Sequence, residues 1–183
     1  MPNHITNIIY ADKGTISLLK KLYVSEENGE KFFDFNKIVP RPKTIEECPE
    51  PYIIHNEGEA RTNCLAYDGD DKWFNWYNWN IDNWGTKWNS YDYSDGETQI
   101  TFLTAWSGVP ELIEKVAEET GASFRYLYAD EGMYDNCEAI VFDNGEVKTC
   151  LDGSTYGMAI WMYLHNESPE DILRWNGVLD ETD

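Results

Sequence analysis

Apolar positions along this chain change period several times, and each change marks an element. Ile5–Ala11 carries Ile5, Asn7 and Ile9 on one register and Thr6, Ile8 and Tyr10 on the other, which predicts a strand covered on both faces. Asp12-Lys13-Gly14 turns the chain. A helix follows, capped by Thr15 and running to about Val24, with Ile16, Leu19, Leu22 and Tyr23 as its apolar face. Ser25–Glu30 reads as a polar break. After Phe32-Phe33-Asp34-Phe35, Pro40 and Pro42 bracket Arg41 and forbid a regular element there. Thr44–Cys48 predicts the start of a short helix ended by Pro49 and Pro51, and 52–72 alternates only weakly and is expected to be helical or irregular.

The stretch from Trp73 to Trp88 holds five of the eight tryptophans, Trp73, Trp76, Trp79, Trp84 and Trp88. Trp73, Trp76, Tyr77 and Asn80 or Ile81 recur at helical spacing on one face, and Trp79 falls off it. Asn83-Trp84-Gly85 stops that helix, with Gly85 free to take a positive φ. Beyond the turn Ser94-Asp95-Gly96, Thr98–Trp106 alternates as a clear strand. Pro110 and Glu111 open a helix in which Leu112, Ile113, Val116 and Ala117 form the apolar stripe; Gly121 ends it. Ser123–Ala129 alternates as a further strand.

Asn144-Gly145 between Cys137–Phe142 and Glu146–Leu151 is a strong hairpin signal. It pairs Phe142 with Val147, Ile140 with Thr149 and Ala139 with Cys150, so that Ile140, Phe142, Val147 and Leu151 share one face. Cys137 and Cys150 then lie one diagonal apart. Gly157–His165 and Ser168–Trp175 read as helices, and the tail from Asn176 to Asp183 is expected to fray. The order implies an α+β fold: a mainly antiparallel sheet with helices on one face, in a single domain spanning 1–183. Residues 44–96 form an aromatic-rich helical or irregular insert, and 151–183 a C-terminal helical segment with an acidic tail.

Composition adds charge to this picture. The 183 residues carry 14 Lys or Arg against 34 Asp or Glu, a net charge of −20. The first 43 residues hold seven bases and five acids; the rest hold seven bases and 29 acids. Such a field repels nucleic acid and anionic membranes and attracts basic surfaces. No run approaches 18 apolar residues, and the N-terminus lacks a secretory pattern. Cys48, Cys64, Cys137 and Cys150 are dispersed, without a C-x-x-C pair, which fits a reduced intracellular chain.

Candidate chemistry is sparse. His4, His55 and His165 are isolated, so no metal site is expected. Asp68-Gly69-Asp70-Asp71 reads as a turn, because Lys72 falls where a calcium loop needs an oxygen. Gly153-Ser154-Thr155-Tyr156-Gly157 has the wrong spacing for a nucleophile elbow. No phosphate loop or dinucleotide fingerprint occurs, and no cofactor is expected. From Tyr126 to Val147 there are six acids and no base. Together with the preceding helix, Glu111, Glu114, Glu118, Glu119, Asp130, Glu131 and Asp135 define a candidate partner-binding patch, a decoy for a basic nucleic-acid-binding groove. A second candidate is a small-ligand or sugar site on Trp76, Trp79, Trp84 and Trp88, where indole faces stack and nearby Asp and Asn bond hydroxyls.

The run from Trp76 to Asn89, containing Asn83-Trp84-Gly85-Thr86-Lys87-Trp88, resembles the signature of the YubB-like family of phage and plasmid proteins. Met1-Pro2-Asn3 with Asn7, Phe35-Asn36-Lys37-Ile38-Val39-Pro40, and Thr104-Ala105-Trp106-Ser107 followed by Pro110 match in the same order. The resemblance implies a ferredoxin-like sheet with the aromatic segment docked on it, carriage on a mobile element, and no catalytic residues to transfer. The expected role is a non-enzymatic anti-defence inhibitor, an anti-CRISPR protein of the bacterial cytoplasm. Its expected partner is a basic host protein such as a CRISPR effector nuclease, with no direct nucleic-acid or membrane binding.

Overall fold

The computed structural model describes residues 3–42, 66–67, 73–74, 76–132, 134–165 and 177–179. In chain order these form β1 (His4–Tyr10), α1 (Lys13–Tyr23), β2 (Val24–Glu27), β3 (Glu30–Phe33), a 3-10 turn (Phe35–Lys37), β4 (Ala66–Tyr67), β5 (Trp73–Phe74) and α2 (Trp76–Trp84). There follow β6 (Tyr91–Asp95), β7 (Gln99–Ala105), α3 (Pro110–Thr120), β8 (Phe124–Asp130), β9 (Cys137–Asp143), β10 (Glu146–Asp152) and α4 (Gly153–Leu164).

Six strands make one antiparallel sheet in the order β10-β9-β8-β1-β7-β6. Within it, β1-α1-β6-β7-α3-β8 is a split βαβ repeat whose strands lie in the order β8-β1-β7-β6, the ferredoxin-like arrangement. The expected α+β class therefore holds. β6 lies inside the stretch assigned to the aromatic insert, yet it is one of the four strands of that repeat. The β9–β10 hairpin extends the sheet beyond β8.

The main core lies between one face of the sheet and α1, α2 and α3. It joins Ile9, Ile100, Phe102, Tyr126 and Phe142 to Leu19, Trp84, Leu112 and Val116. Residues of opposite parity on β8 and β9, Leu127, Ala129, Cys137 and Ala139, meet Ala159 and Ile160 of α4 on the other face. The expected placing of all helices on one face is thus corrected: α4 adds a layer behind the β8–β10 half of the sheet, because that face is apolar there too. Val178 and Leu179, expected in a frayed tail, are buried there. Their apolar side chains close the cluster, and Arg125 Nη1 donates to Val178 O at 3.3 Å.

Several local expectations shift. α1 is capped by Asp12, whose side chain accepts from the Gly14 and Thr15 amides, and Leu22 is exposed rather than in the apolar face. The presumed polar break is a β2–β3 hairpin. Its turn, Asn28 (φ 53) and Gly29 (φ 84), has the same left-handed pair as Asn144 (φ 52) and Gly145 (φ 87). In β10 a bulge at Lys148 shifts the register. Val147 still faces Phe142, but Thr149 pairs with Val141, Cys150 with Ile140 and Leu151 with Ala139. The shift carries Leu151 to the α4 side, while Val147, before the bulge, keeps its expected face but is exposed. It also puts Cys137 and Cys150 on opposite faces of the sheet; both are free thiols. Cys48, Cys64, His55, 43–65, the 68–71 turn and the Ser168–Trp175 helix lie outside the described residues.

Candidate functional site

The motif residues of the sequence form a framework around the sheet. α2 buries Trp79, Asn80 and Trp84, so its inner face lies one step from the one the periodicity predicted, and Ile81 points outward. Trp84 sits edge-on to Phe35 and donates Nε1–H to Val39 O at 2.9 Å, while the Arg41 guanidinium lies 4.7 Å from its ring centre. Gly85 takes φ 74 and ends the helix. Thr86, fully buried, donates Oγ1–H to Ala105 O at 2.9 Å and accepts from Ala105 N at 3.2 Å. Asn89 Oδ1 and Ser90 Oγ accept the amides of Phe35 and Phe33. The aromatic run and the Phe35–Arg41 segment are thus one interlocked unit at the β7 side of the sheet.

A second network fixes α3. Buried Asn7 donates Nδ2–H to Thr104 Oγ1 at 2.9 Å and accepts from Tyr126 Oη at 2.6 Å. Tyr126 Oη in turn accepts the Val109 amide at 2.9 Å. Val109 is the N-cap of α3 and its side chain makes no capping bond, so this phenol positions the start of the helix.

That start forms one wall of an acidic groove. Glu111 and Glu114 of α3 face Glu138 of β9 across a floor of Tyr128, Ile140, Phe142, Val147 and Cys150, enclosing about 430 Å³. Burial raises the Glu138 carboxyl above its ordinary range, Glu111 and Asp152 add like charge, and a Cys150 thiol donation at 3.2 Å opposes the shift. Burial together with Glu138 pushes Cys150 up to about 11, so it stays a protonated thiol at neutral pH. Burial pushes Cys137 up to about 11 as well. A larger cleft of about 620 Å³ between β3 and β6 is lined by Glu30, Asp92 and Asp95 together with Lys31, so a base offsets its acids.

The structure divides the predicted patch. Glu111 and Glu114 line the groove, and Glu118 is exposed on the same helix. Glu119 instead accepts from Tyr23 Oη at 2.9 Å. Asp130 is 1% exposed and cannot be a contact residue: it accepts from Asn3 and Asn136 side-chain amides and from Gly132 N, holding the β8–β9 loop. Exposed Glu131 and Asp135 belong to that loop, not to the groove. Glu138 and Asp152 were missed as site residues, because only the bulged register brings them opposite each other.

The alternative aromatic site is also corrected. Trp79 and Trp84 are core residues without free faces, because α2 turns them onto the sheet. Trp76 and Trp88 are half-buried. Trp88 instead joins Tyr77 and Trp106 around Lys87, whose Nζ lies 4.7, 5.9 and 5.0 Å from the three ring centres.

Among the described residues no cluster of His, Cys, Asp and Glu could hold a metal, and no helix is long and apolar enough to cross a membrane. No curated protein and no solved structure matches the chain. Residues 83–168 match the family model of the ferredoxin-like domain in Api92-like protein; β1 and α1, which complete the split repeat, precede that span. In strand order and in this matched span, the chain carries a ferredoxin-like domain similar to that of Api92-like protein.

Proposed function

We propose that this chain is a non-enzymatic inhibitor that binds a basic, nucleic-acid-handling host protein through the groove between α3 and the β9–β10 hairpin. The supporting observation is the cluster of Glu111, Glu114 and Glu138 around an apolar floor. Burial and the like charge of Glu111 destabilise the ionised Glu138 carboxylate, and an incoming cation relieves that cost. The net charge of −20 adds long-range attraction for a basic surface. The floor of Ile140, Phe142 and Val147 suits the aliphatic stems of Lys and Arg.

The resemblance to YubB-like proteins supports carriage on a phage or plasmid, and hence a host-defence target in the bacterial cytoplasm. A CRISPR effector nuclease fits, because it holds its heteroduplex in a positively charged channel that an acidic groove can engage. The test is DNA cleavage by a purified, guide-loaded type II effector with and without the protein, at two salt concentrations. The expected result is inhibition that weakens with salt and falls roughly tenfold or more in the E111K/E114K double variant. Inhibition unaffected by that reversal refutes the groove. Absence of inhibition by the wild-type chain refutes this class of target.

A further inference from the structure

Trp106 combines three properties that core packing does not explain. It is 41% exposed, in contrast to the buried Trp79 and Trp84. It takes φ 71, a left-handed conformation that a large L-residue adopts only at a cost. It is nonetheless held there from both sides: its amide donates to Asn3 O at 3.0 Å, and Asn136 Nδ2 donates to its carbonyl at 2.9 Å. A glycine would meet the backbone demand without strain. The indole is therefore retained for its ring, and that ring is turned partly to solvent.

The surroundings give the ring's chemistry. Lys87 lies 5.0 Å from its centre, so the indole already accepts a cation. Tyr77 meets it edge-on at 6.1 Å and fixes its plane. Asn136 ties the Trp106 carbonyl to the loop carrying exposed Glu131 and Asp135. Two residues on, Gly108 packs against Tyr128 of the acidic groove's floor, so the 106–108 segment leads directly to that site.

We infer that Trp106 is a recognition residue that stacks an arginine guanidinium of a basic protein partner, with Glu131 and Asp135 pairing its charge. The inference rests on the proposed function and names the side chain recognised. Arginine is favoured over lysine because a planar guanidinium stacks on an indole face and pairs bidentately with carboxylates, whereas an ammonium is a compact, strongly hydrated charge. Exposed, rigid tryptophans are also enriched among residues that dominate binding energy.

The test uses the full chain and two probes, nona-arginine and nona-lysine, titrated at one low salt concentration and followed by calorimetry. Wild type is expected to bind the arginine peptide roughly five- to tenfold more tightly. W106G, which suits the observed φ, should stay folded and bind both peptides equally. W106L should also lose the preference, and W106F should keep most of it, which separates cation–π stacking from simple apolar contact. E111K/E114K should weaken both peptides while leaving the arginine preference. Equal affinity of wild type for the two peptides, or a preference that survives in W106G, overturns the role of Trp106 and leaves the acidic groove standing. Failure of wild type to bind either peptide overturns both readings.

Discussion

Replacing Tyr126 by Phe isolates the network that holds the start of α3. The ring is 0% exposed and would stay in place, so the change removes one oxygen without opening a large cavity. Two groups lose their partner. Asn7 Oδ1 loses the 2.6 Å donation, and the Val109 amide loses its 2.9 Å acceptor. An unpaired buried polar group costs about 1–3 kcal/mol, and the two groups share one site, so the expected loss is about 2–4 kcal/mol. With a urea slope of about 2 kcal/mol per molar, the midpoint falls by about 1–2 M. Because Val109 caps α3, binding through Glu111 should weaken in parallel. Equilibrium urea unfolding of wild type and Y126F measures the first effect. A loss below about 0.5 kcal/mol with an unchanged slope would show that the phenol is not the keystone described.

Gly108→Ala should destabilise by about 1–3 kcal/mol, because a methyl there would lie 2.4 Å from Tyr128 Cγ, and it should displace that part of the groove floor; unchanged stability and unchanged Tyr128 ring resonances would contradict the packing. The protein should also lose stability in alkali. Burial and Glu119 push Tyr23 from 10.0 up to about 12, burial raises Tyr126 and Tyr128, and burial raises Cys137 from 9.0 to about 11. Each folded value lies above its unfolded one, so this stability is complete below about pH 9 and is lost as pH climbs toward 12. A urea midpoint that stays level from pH 8 to 11 would refute it.

Elements with a strong local period were legible. β7, β8 and the stripe Leu112, Ile113, Val116 and Ala117 of α3 appear as expected, because burial of one face writes itself into the spacing, and β1 is a strand as expected, though only its Ile5, Asn7 and Ile9 face is fully buried. The β2–β3 hairpin could have been found from Asn28-Gly29, the same signal that located Asn144-Gly145. β6 could not, since Tyr-Asp-Tyr-Ser-Asp at a sheet edge has little apolar content to betray it. The candidate site was half legible. Glu111 and Glu114 lie on the wet face that the helical period defines, but Glu138 joins them only through long-range pairing.

The sequence by itself determined the class of fold, the net charge of −20 and most strand and helix identities, because these follow from composition and from periods of two and 3.6 residues. The tertiary structure alone decided which like residues do different work. Asp130 became an internal anchor while Asp135 stayed at the surface; Trp84 entered the core while Trp106 turned outward; a bulge at Lys148 exchanged the faces that Cys150 and Leu151 take. The physical reason is that local pattern reports how much of a residue is buried, whereas its partner is set by packing between segments far apart in the chain, and charge, hydrogen bonding and exposure at a site depend on that partner.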